Sequence, residues 1–290
     1  MSDIKRFFRS RWGDGGRLIE ADLSQIEVVV QAVLSGDGQM KQDVRDGVDF
    51  HCKRLAFKLG EDYDSVAERC KYDPVYIKMR KDIKVFSFQR AYGAGVTKIS
   101  DTLGIPQAEV REFIRVEEEL YPGVVTMQKA WIAEVERSRK PTTQRSALGV
   151  PVGRGWLRSC LGKRYVFTEE DAPDFLRNRG VHTSFRPTQI KNYEVQGFAG
   201  EVLKLILGSL CRKLKSDSLI SDGVLLINTI HDSIVLDARS GLVGVAIEVL
   251  RETFGSAPSL IESVYGLNFD LPIRGGISVG INWLEMEKVI

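Results

Sequence analysis

The sequence predicts an α+β fold, and three observations carry the prediction. From Gly36 to Tyr121 the residues follow a helical pattern, broken around Gly60-Glu61-Asp62 and Gly93-Ala94-Gly95. Val224 to Ile230 and Ser233 to Leu236 read as apolar strands joined by the two-residue turn His231-Asp232. Arg17 to Leu23 and Leu271 to Gly280 read as further strands near the two ends of the chain.

Composition narrows the possibilities. At 290 residues and 43% apolar content, the chain can build one large domain or two interlocked subdomains. No stretch approaches the roughly 18 apolar residues that span a bilayer, and no signal peptide opens the chain. These features predict no membrane association and a cytoplasmic protein. Cys52, Cys70, Cys160 and Cys211 lie far apart without a paired spacing, so they read as reduced thiols rather than a zinc site or disulfide framework. Net charge is only +2, yet Arg137 to Lys191 holds 12 Lys/Arg against 4 Asp/Glu, a local +8 that leaves −6 elsewhere. A basic block beside an acidic remainder fits a phosphate track next to a metal-binding centre, although solvated loops give the same signal.

In chain order, Met1 to Gly16 is a basic, glycine-rich entry segment. The strand that follows ends with Asp22, beside a helix start, where ligand sites gather in sheet-and-helix architectures; an N-cap is the plainer role. Ser24-Gln25-Ile26-Glu27 has the spacing of a capping box, which predicts a helix from Ser24 with Glu27 reaching back to cap it. A carboxylate beside a nucleotide sugar is the functional reading of Glu27, and the two are compatible. Gln107 to Leu120 is a charged helix stopped by Tyr121-Pro122-Gly123, and another helix runs through Trp131 to about Glu136.

The texture then changes. Arg139 to Pro187 is rich in Gly, Pro and Arg with short apolar runs, which predicts loops and short strands. Gln189 to Lys215 reads as one long helix with Val195, Phe198, Val202, Leu205 and Leu210 on its apolar side. Asn192 and Gln196 fall one turn apart on it, beside the small residues Gly197, Ala199 and Gly200, which allow a close approach by nucleic acid, a protein partner or a core helix. The His231-Asp232 turn lacks the Gly or Asn that two-residue hairpins favour, so strain with a functional reason is expected there.

The organising stretch is Arg80 to Gly93. Read as a helix, it stacks Arg80, Lys84, Phe88 and Tyr92 along one side over roughly 18 Å. Asp73-Pro74 supplies its N-cap and first position, and Gly93 and Gly95 mark its end. Two cations followed by two aromatics suit a ligand with a polyanionic end and a flat end, such as a nucleoside triphosphate. A solvated basic edge with two core aromatics fits the same spacing.

Together these segments resemble the family A DNA polymerases, the bacterial polymerase I group with its phage and mitochondrial relatives. Asp22-Leu23-Ser24-Gln25-Ile26-Glu27 is similar to the family's first motif, DYSQIE. Arg80 to Gly93 matches the second, RxxxKxxxFxxxYG, and His231-Asp232 matches the third, in the family's order. Asp49-Phe50-His51, Tyr121-Pro122-Gly123, Gly162-Lys163-Arg164, Gln196-Gly197 and Asn282-Trp283 fall at family-like intervals, so the resemblance covers nearly the whole chain.

The resemblance implies a palm from residues 1–35 and 156–290 and mostly helical fingers from 36–155. The second-motif helix would lie at about 74–93 and the third-motif hairpin at about 224–237. It implies template-directed addition of dNMPs to a primer 3′-hydroxyl, with release of pyrophosphate. Asp22, Asp232 and the Leu23 carbonyl would hold two Mg²⁺ ions. Arg80 and Lys84 would grip the triphosphate, with Lys84 the proton donor to departing pyrophosphate, and His51 and Gln25 would also belong to the nucleotide-binding set. Phe88 would lie against the incoming nucleotide, Tyr92 near the templating base, and Glu27 against the sugar 2′ position. Gln25, Lys163, Arg164, Asn192, Gln196 and His231 would touch primer-template DNA. Thumb and exonuclease domains are expected to be absent, supplied by a separate chain of a split, phage-type polymerase.

The chain departs from the family pattern at Val29, commonly Arg, at Gln89 and Arg90, and at Ser233, commonly Glu. A single-subunit RNA polymerase-like enzyme and a non-catalytic DNA-binding subunit of a split polymerase are the rival readings.

Overall fold

The computed structural model describes residues 3–23, 25–91 and 94–289, the side chains of Phe88, Arg90 and Ala91 excepted. It divides into two compact units, one formed by residues 1–30 and 197–290, the other by residues 31–196. The resemblance implies a palm segment from 156 onward; by compactness, residues 156–196 group with the helical unit. The reason is local packing, given below for the second unit.

The first unit is built on a five-stranded antiparallel sheet. Its strands are β1 (Gly16–Leu23), then β7 (Val224–Ile230), β8 (Ser233–Arg239), β9 (Gly275–Gly280) and β10 (Met286–Lys288), in the order β10-β9-β1-β8-β7. β1 is therefore central, although it comes first in sequence. Its residues alternate: Ile19, Ala21 and Leu23 are buried, while Glu20 and Asp22 share the other face. The helix Val243–Tyr265 packs against β1, β8 and β9, burying Leu250, Phe254 and Ile261. A Cβ on Gly275 would sit 2.2 Å from the Phe254 ring, so glycine is what allows this helix so near the sheet.

Helix α1 (Ile26–Ser35) leaves β1. The sequence predicts a start at Ser24, and the observed helix starts two residues later. Gln25 has φ +53°, a left-handed value outside any helix, while its carbonyl accepts from Val28 and Val29 at 2.9 and 3.1 Å. Glu27 is therefore the second helical residue rather than the third, and the capping-box reading does not hold; Ser24 lies outside the described residues.

The second unit opens with short helices, α2 (Gly38–Asp46), α3 (Phe50–Leu59), α4 (Tyr63–Tyr72), α5 (Pro74–Ala91), α6 (Val96–Leu103), α7 (Gln107–Leu120) and α8 (Pro122–Arg137). The aspartates Asp37, Asp49, Asp62 and Asp73 start α2 to α5 by accepting backbone N–H bonds of the first turn. Their core joins Leu55, Val66, Tyr76, Ile83, Phe86, Ile99, Val110 and Phe113.

After α8 comes a three-stranded sheet in the order β2 (Lys140–Arg145), β3 (Pro151–Arg158), β4 (Arg164–Thr168). Its inner residues Leu157 and Phe167 pack with Val135, Phe185 and Ile190. A Cβ on Gly155 would fall 2.2 Å from the Val135 carbonyl of α8, so sheet and helix are in intimate contact. That contact ties residues 140–168 to the helical unit. The pieces β5 (Glu170–Asp171), α9 (Asp174–Arg177) and β6 (Thr183–Ser184) lead into the 30-residue helix α10 (Pro187–Ser216). Val195, Phe198, Val202 and Leu210 are buried on it as expected, while Leu205 is half-buried and Ile206 takes the deeper place. Among the described residues no helix is long and apolar enough to cross a membrane.

Candidate active site

Strand register creates the acidic centre of the first unit. Asp22 pairs with Ser233 across β1 and β8, which sets the Asp22 carboxyl next to Asp232 in the hairpin turn. The Leu23 N–H donates to the Asp232 carbonyl at 3.1 Å, extending the pairing one residue into the turn. His231, the first turn residue, has φ +55°. A non-glycine residue held in the left-handed region bears out the strain expected of this turn, and the turn presents Asp232 to Asp22.

The two carboxyls lie within hydrogen-bonding reach of each other. Crowding away from bulk water is the largest cause raising the Asp22 pKa, followed by the charges of Asp232 and Glu20 and the hydrogen bond to Asp232. Glu27 is raised too, by desolvation first and then by Asp232. Every effect on these two acids runs the same way: the site concentrates negative charge, with no offsetting cation acting on them among the described residues.

Glu20 is the member that sequence reasoning missed. It lies two residues before Asp22 on the same face of β1, and the Ser233 hydroxyl lies 3.5 Å from its carboxylate and donates to the Ile230 carbonyl at 3.1 Å. Period-2 alternation back from Asp22 is the signal that could have found it.

The second unit carries the cationic helix. On α5, Ile83 and Phe86 are buried at 2% and 1% exposure, so Lys84 is turned outward and exposed. Arg80 is half-buried and held. Its guanidinium donates Nε–H to Asp49 Oδ2 at 3.1 Å, and Nη2 reaches the same oxygen. The other oxygen of Asp49 caps α3, accepting from the His51 and Cys52 N–H groups at 2.9 Å each. Burial pushes Asp49 upward, but the Arg80 hydrogen bond, the Cys52 N–H and the nearby positive charges outweigh it and hold the carboxyl low. Asp49 was likewise not singled out as functional; an Asp two residues ahead of His51 was its visible trace.

His51 is pushed down to about 4, by burial first and then by Arg54, with Arg80 and Lys84 adding and Asp49 opposing. Its Nδ1 is buried without a partner. Unfolded, the imidazole protonates near 6.5; folded, it waits until about 4. Between those values the unfolded chain binds more protons, so acidification favours unfolding. The urea midpoint is expected to fall from pH 6.5 toward 4, and His51→Gln to flatten that slope; an unchanged slope refutes the assignment.

The remaining expected residues are distributed as follows. Gln25 is exposed at the start of α1, and His231 is exposed in the hairpin turn. Lys163 lies in the tight turn between β3 and β4, where Gly162 has φ +81°, and Arg164 stacks 4.1 Å from the Trp156 ring. Glu194, buried on α10, fastens that turn by accepting from Ser159 Oγ and the Cys160 N–H at 2.9 and 3.1 Å. Asn192 is half-buried and Gln196 exposed one turn later. Tyr92 and the Phe88 side chain lie outside the described residues. Val29 is buried at 6% exposure, so the departure there makes a core position.

The sequence matches the model of DNA polymerase family A over residues 1–285. The chain belongs to the family A DNA polymerases. Among curated relatives, it is 30% identical over 278 residues to the thermostable DNA polymerase I of Thermus filiformis, covering 95% of this chain and 28% of that protein. Against DNA polymerase I of Treponema pallidum it is 25% identical, covering 93% of this chain and 23% of the relative. This family A chain thus spans under a third of these relatives. A solved structure of the polymerase domain of Pol1 from M. smegmatis, in complex with DNA primer-template and dNTP, has the same fold. The TM-score is 0.66 at 19% identity, over 97% of this chain and 42% of that one.

Members of the family use divalent metal ions. Among the described residues no group of three or more His, Cys, Asp and Glu side chains is arranged to hold one. The donor set expected here is smaller, two carboxylates and a backbone carbonyl. The chemistry of Asp22 and Asp232 fits it: hard oxygens, mutual repulsion and, among the described residues, no cation acting to offset Asp22.

Proposed function

We propose that this chain is the catalytic core of a template-directed DNA polymerase, adding dNMPs to a primer 3′-hydroxyl. The observation that carries the reading is the convergence of Asp22 and Asp232, from distant parts of the sequence, with no positive charge among the described residues acting to offset Asp22. Asp22, Asp232 and the Leu23 carbonyl would hold Mg²⁺, which when bound supplies a lowered pKa for the attacking hydroxyl and neutralises charge on the α-phosphate. Arg80, Lys84 and His51 would engage the triphosphate, and Phe88 and Tyr92 the nucleotide and templating base. Gln25, Lys163, Arg164, Asn192, Gln196 and His231 would position the primer-template without reading its sequence.

Primer extension with Mg²⁺ and dNTPs, with and without a thumb-bearing partner chain, tests the proposal. Extension by no assembly refutes it, and a preference for rNTPs moves the chain to the RNA polymerase class. Glu27 sharpens that test. As the residue crowding the sugar 2′ position, its replacement in Glu27→Ala is expected to raise the rNTP/dNTP incorporation ratio by about tenfold or more, because the clash that excludes a 2′-hydroxyl is removed. An unchanged ratio removes Glu27 from that role.

A further inference from the structure

Strand alternation gives the β2–β3–β4 sheet two unlike faces. The inner one is the apolar layer against α8. The outer one carries Arg154, Trp156 and Arg158 on β3, with Val166 opposite Trp156 and Arg164 opposite Arg158 on β4, and Lys140 opposite Arg154 on β2. The four cations are exposed, and Val166 is 52% exposed. Arg164 lies over the indole at 4.1 Å and Lys140 at 5.5 Å.

The basic block from 137 to 191 does contain acids, but they are engaged elsewhere. Glu169 takes Arg139 at 2.7 Å, Glu170 pairs with Arg186, Asp171 with Ser146 and Asp174 with Arg177. Among the described residues no charged side-chain group of the four outer cations pairs with a carboxylate: Arg154 donates to the neutral amide of Gln144 at 3.1 Å, and only the main-chain N–H of Arg158 meets an acid, Glu134, at 3.0 Å. The face therefore keeps its positive charge.

We infer that this outer face is a platform for single-stranded DNA. In the polymerase reading, on which only the strand's identity rests, that strand is unpaired template. Charge alone would suit any phosphate backbone. The centre of the face decides between strands. A duplex offers phosphates and hides its base faces, so it gains nothing from an apolar Trp156–Val166 patch. An unpaired strand brings phosphates to the rim cations and bases to the centre. Arg164, stacked on Trp156, presents a guanidinium plane for a base while its in-plane N–H groups remain available to phosphate. From Arg154 to Arg158 the face runs about 14 Å, and three strands give about 10 Å across, room for a few nucleotides.

The test is fluorescence anisotropy on the full chain, without Mg²⁺ or dNTPs, using labelled oligo-dT and a duplex of equal length over a salt series. Trp156→Ala is expected to weaken oligo-dT binding about tenfold, with Trp156→Phe retaining most of it. The double variant Arg154→Glu/Arg158→Glu, at exposed positions and with folding checked by circular dichroism, is expected to weaken it further and to flatten the salt dependence by about 0.7 per lost phosphate contact. Duplex binding should change far less. Absence of oligo-dT binding by the parent chain, or equal losses for duplex and single strand, overturns the inference. Should Trp156→Ala fail to fold, the double variant and Trp156→Phe decide the matter alone. Extension activity with oligo-dT binding unaltered in the variants sinks the platform and spares the polymerase reading. Variants that lose oligo-dT binding in a chain that never extends a primer do the reverse.

Discussion

Asp232→Asn should lower primer extension by at least about 10³-fold while leaving the fold as stable as before or slightly more so. The two effects have one cause. In the proposed mechanism, Asp232 would contribute several kcal/mol to the reaction as a negative oxygen able to hold a divalent ion beside Asp22. Without that ion it is an unneutralised neighbour, one of the causes that raise the Asp22 pKa after desolvation. A carboxyl raised above its unfolded 3.8 costs stability at neutral pH, and the cost is relieved as pH falls through the raised folded value. Removing the Asp232 charge brings the Asp22 pKa back toward 3.8, although burial and Glu20 still hold it up. The measurements are single-turnover extension at saturating dNTP, thermal melting at pH 7 and the Asp22 titration by NMR. A large loss of melting temperature, or activity within tenfold of the parent, counts against the assignment. Glu20→Gln gives the control, since it should also lower the Asp22 pKa while leaving both proposed ligand carboxylates in place.

How much of this was legible in the sequence depended on how local each signal is. Asp73-Pro74 ahead of α5 and the apolar runs around His231-Asp232 are written within a few residues, and the elements formed where expected. The capping box failed because Gln25 left the helical region, a conformation that sequence spacing does not encode. Glu20 was invisible for a different reason. Its importance comes from the register that sets β1 between β8 and β9, and partners more than 200 residues away in sequence are beyond any local pattern. Asp49 caps α3 with one oxygen, and its second is committed to Arg80, 31 residues on, a pairing no local pattern records. The contact of β3 with α8 at Gly155, which groups residues 140–168 with the helical unit, is likewise a matter of packing that composition does not record.

Lys84→Ala should reduce the turnover of extension by about 10² to 10⁴-fold, with a much smaller change in KM for dNTP. Arg80 and Lys84 are one helical turn apart, yet the structure gives them different freedom. Arg80 is fastened to Asp49, a geometry suited to a fixed clamp that binds ground state and transition state alike. Lys84 is exposed on the same side of α5, its flexible ammonium able to follow the charge that develops on departing pyrophosphate. Removing a uniform binder raises KM, whereas removing a group that acts in the transition state lowers turnover. Arg80→Ala should therefore raise KM for dNTP more than it lowers turnover, and Lys84→Ala should do the opposite. The pH profile separates proton donation from charge alone. If Lys84 delivers the proton, the fall in rate at alkaline pH disappears in Lys84→Ala. If that limb persists in the variant, the proton comes from elsewhere and Lys84 serves only as a fixed positive charge.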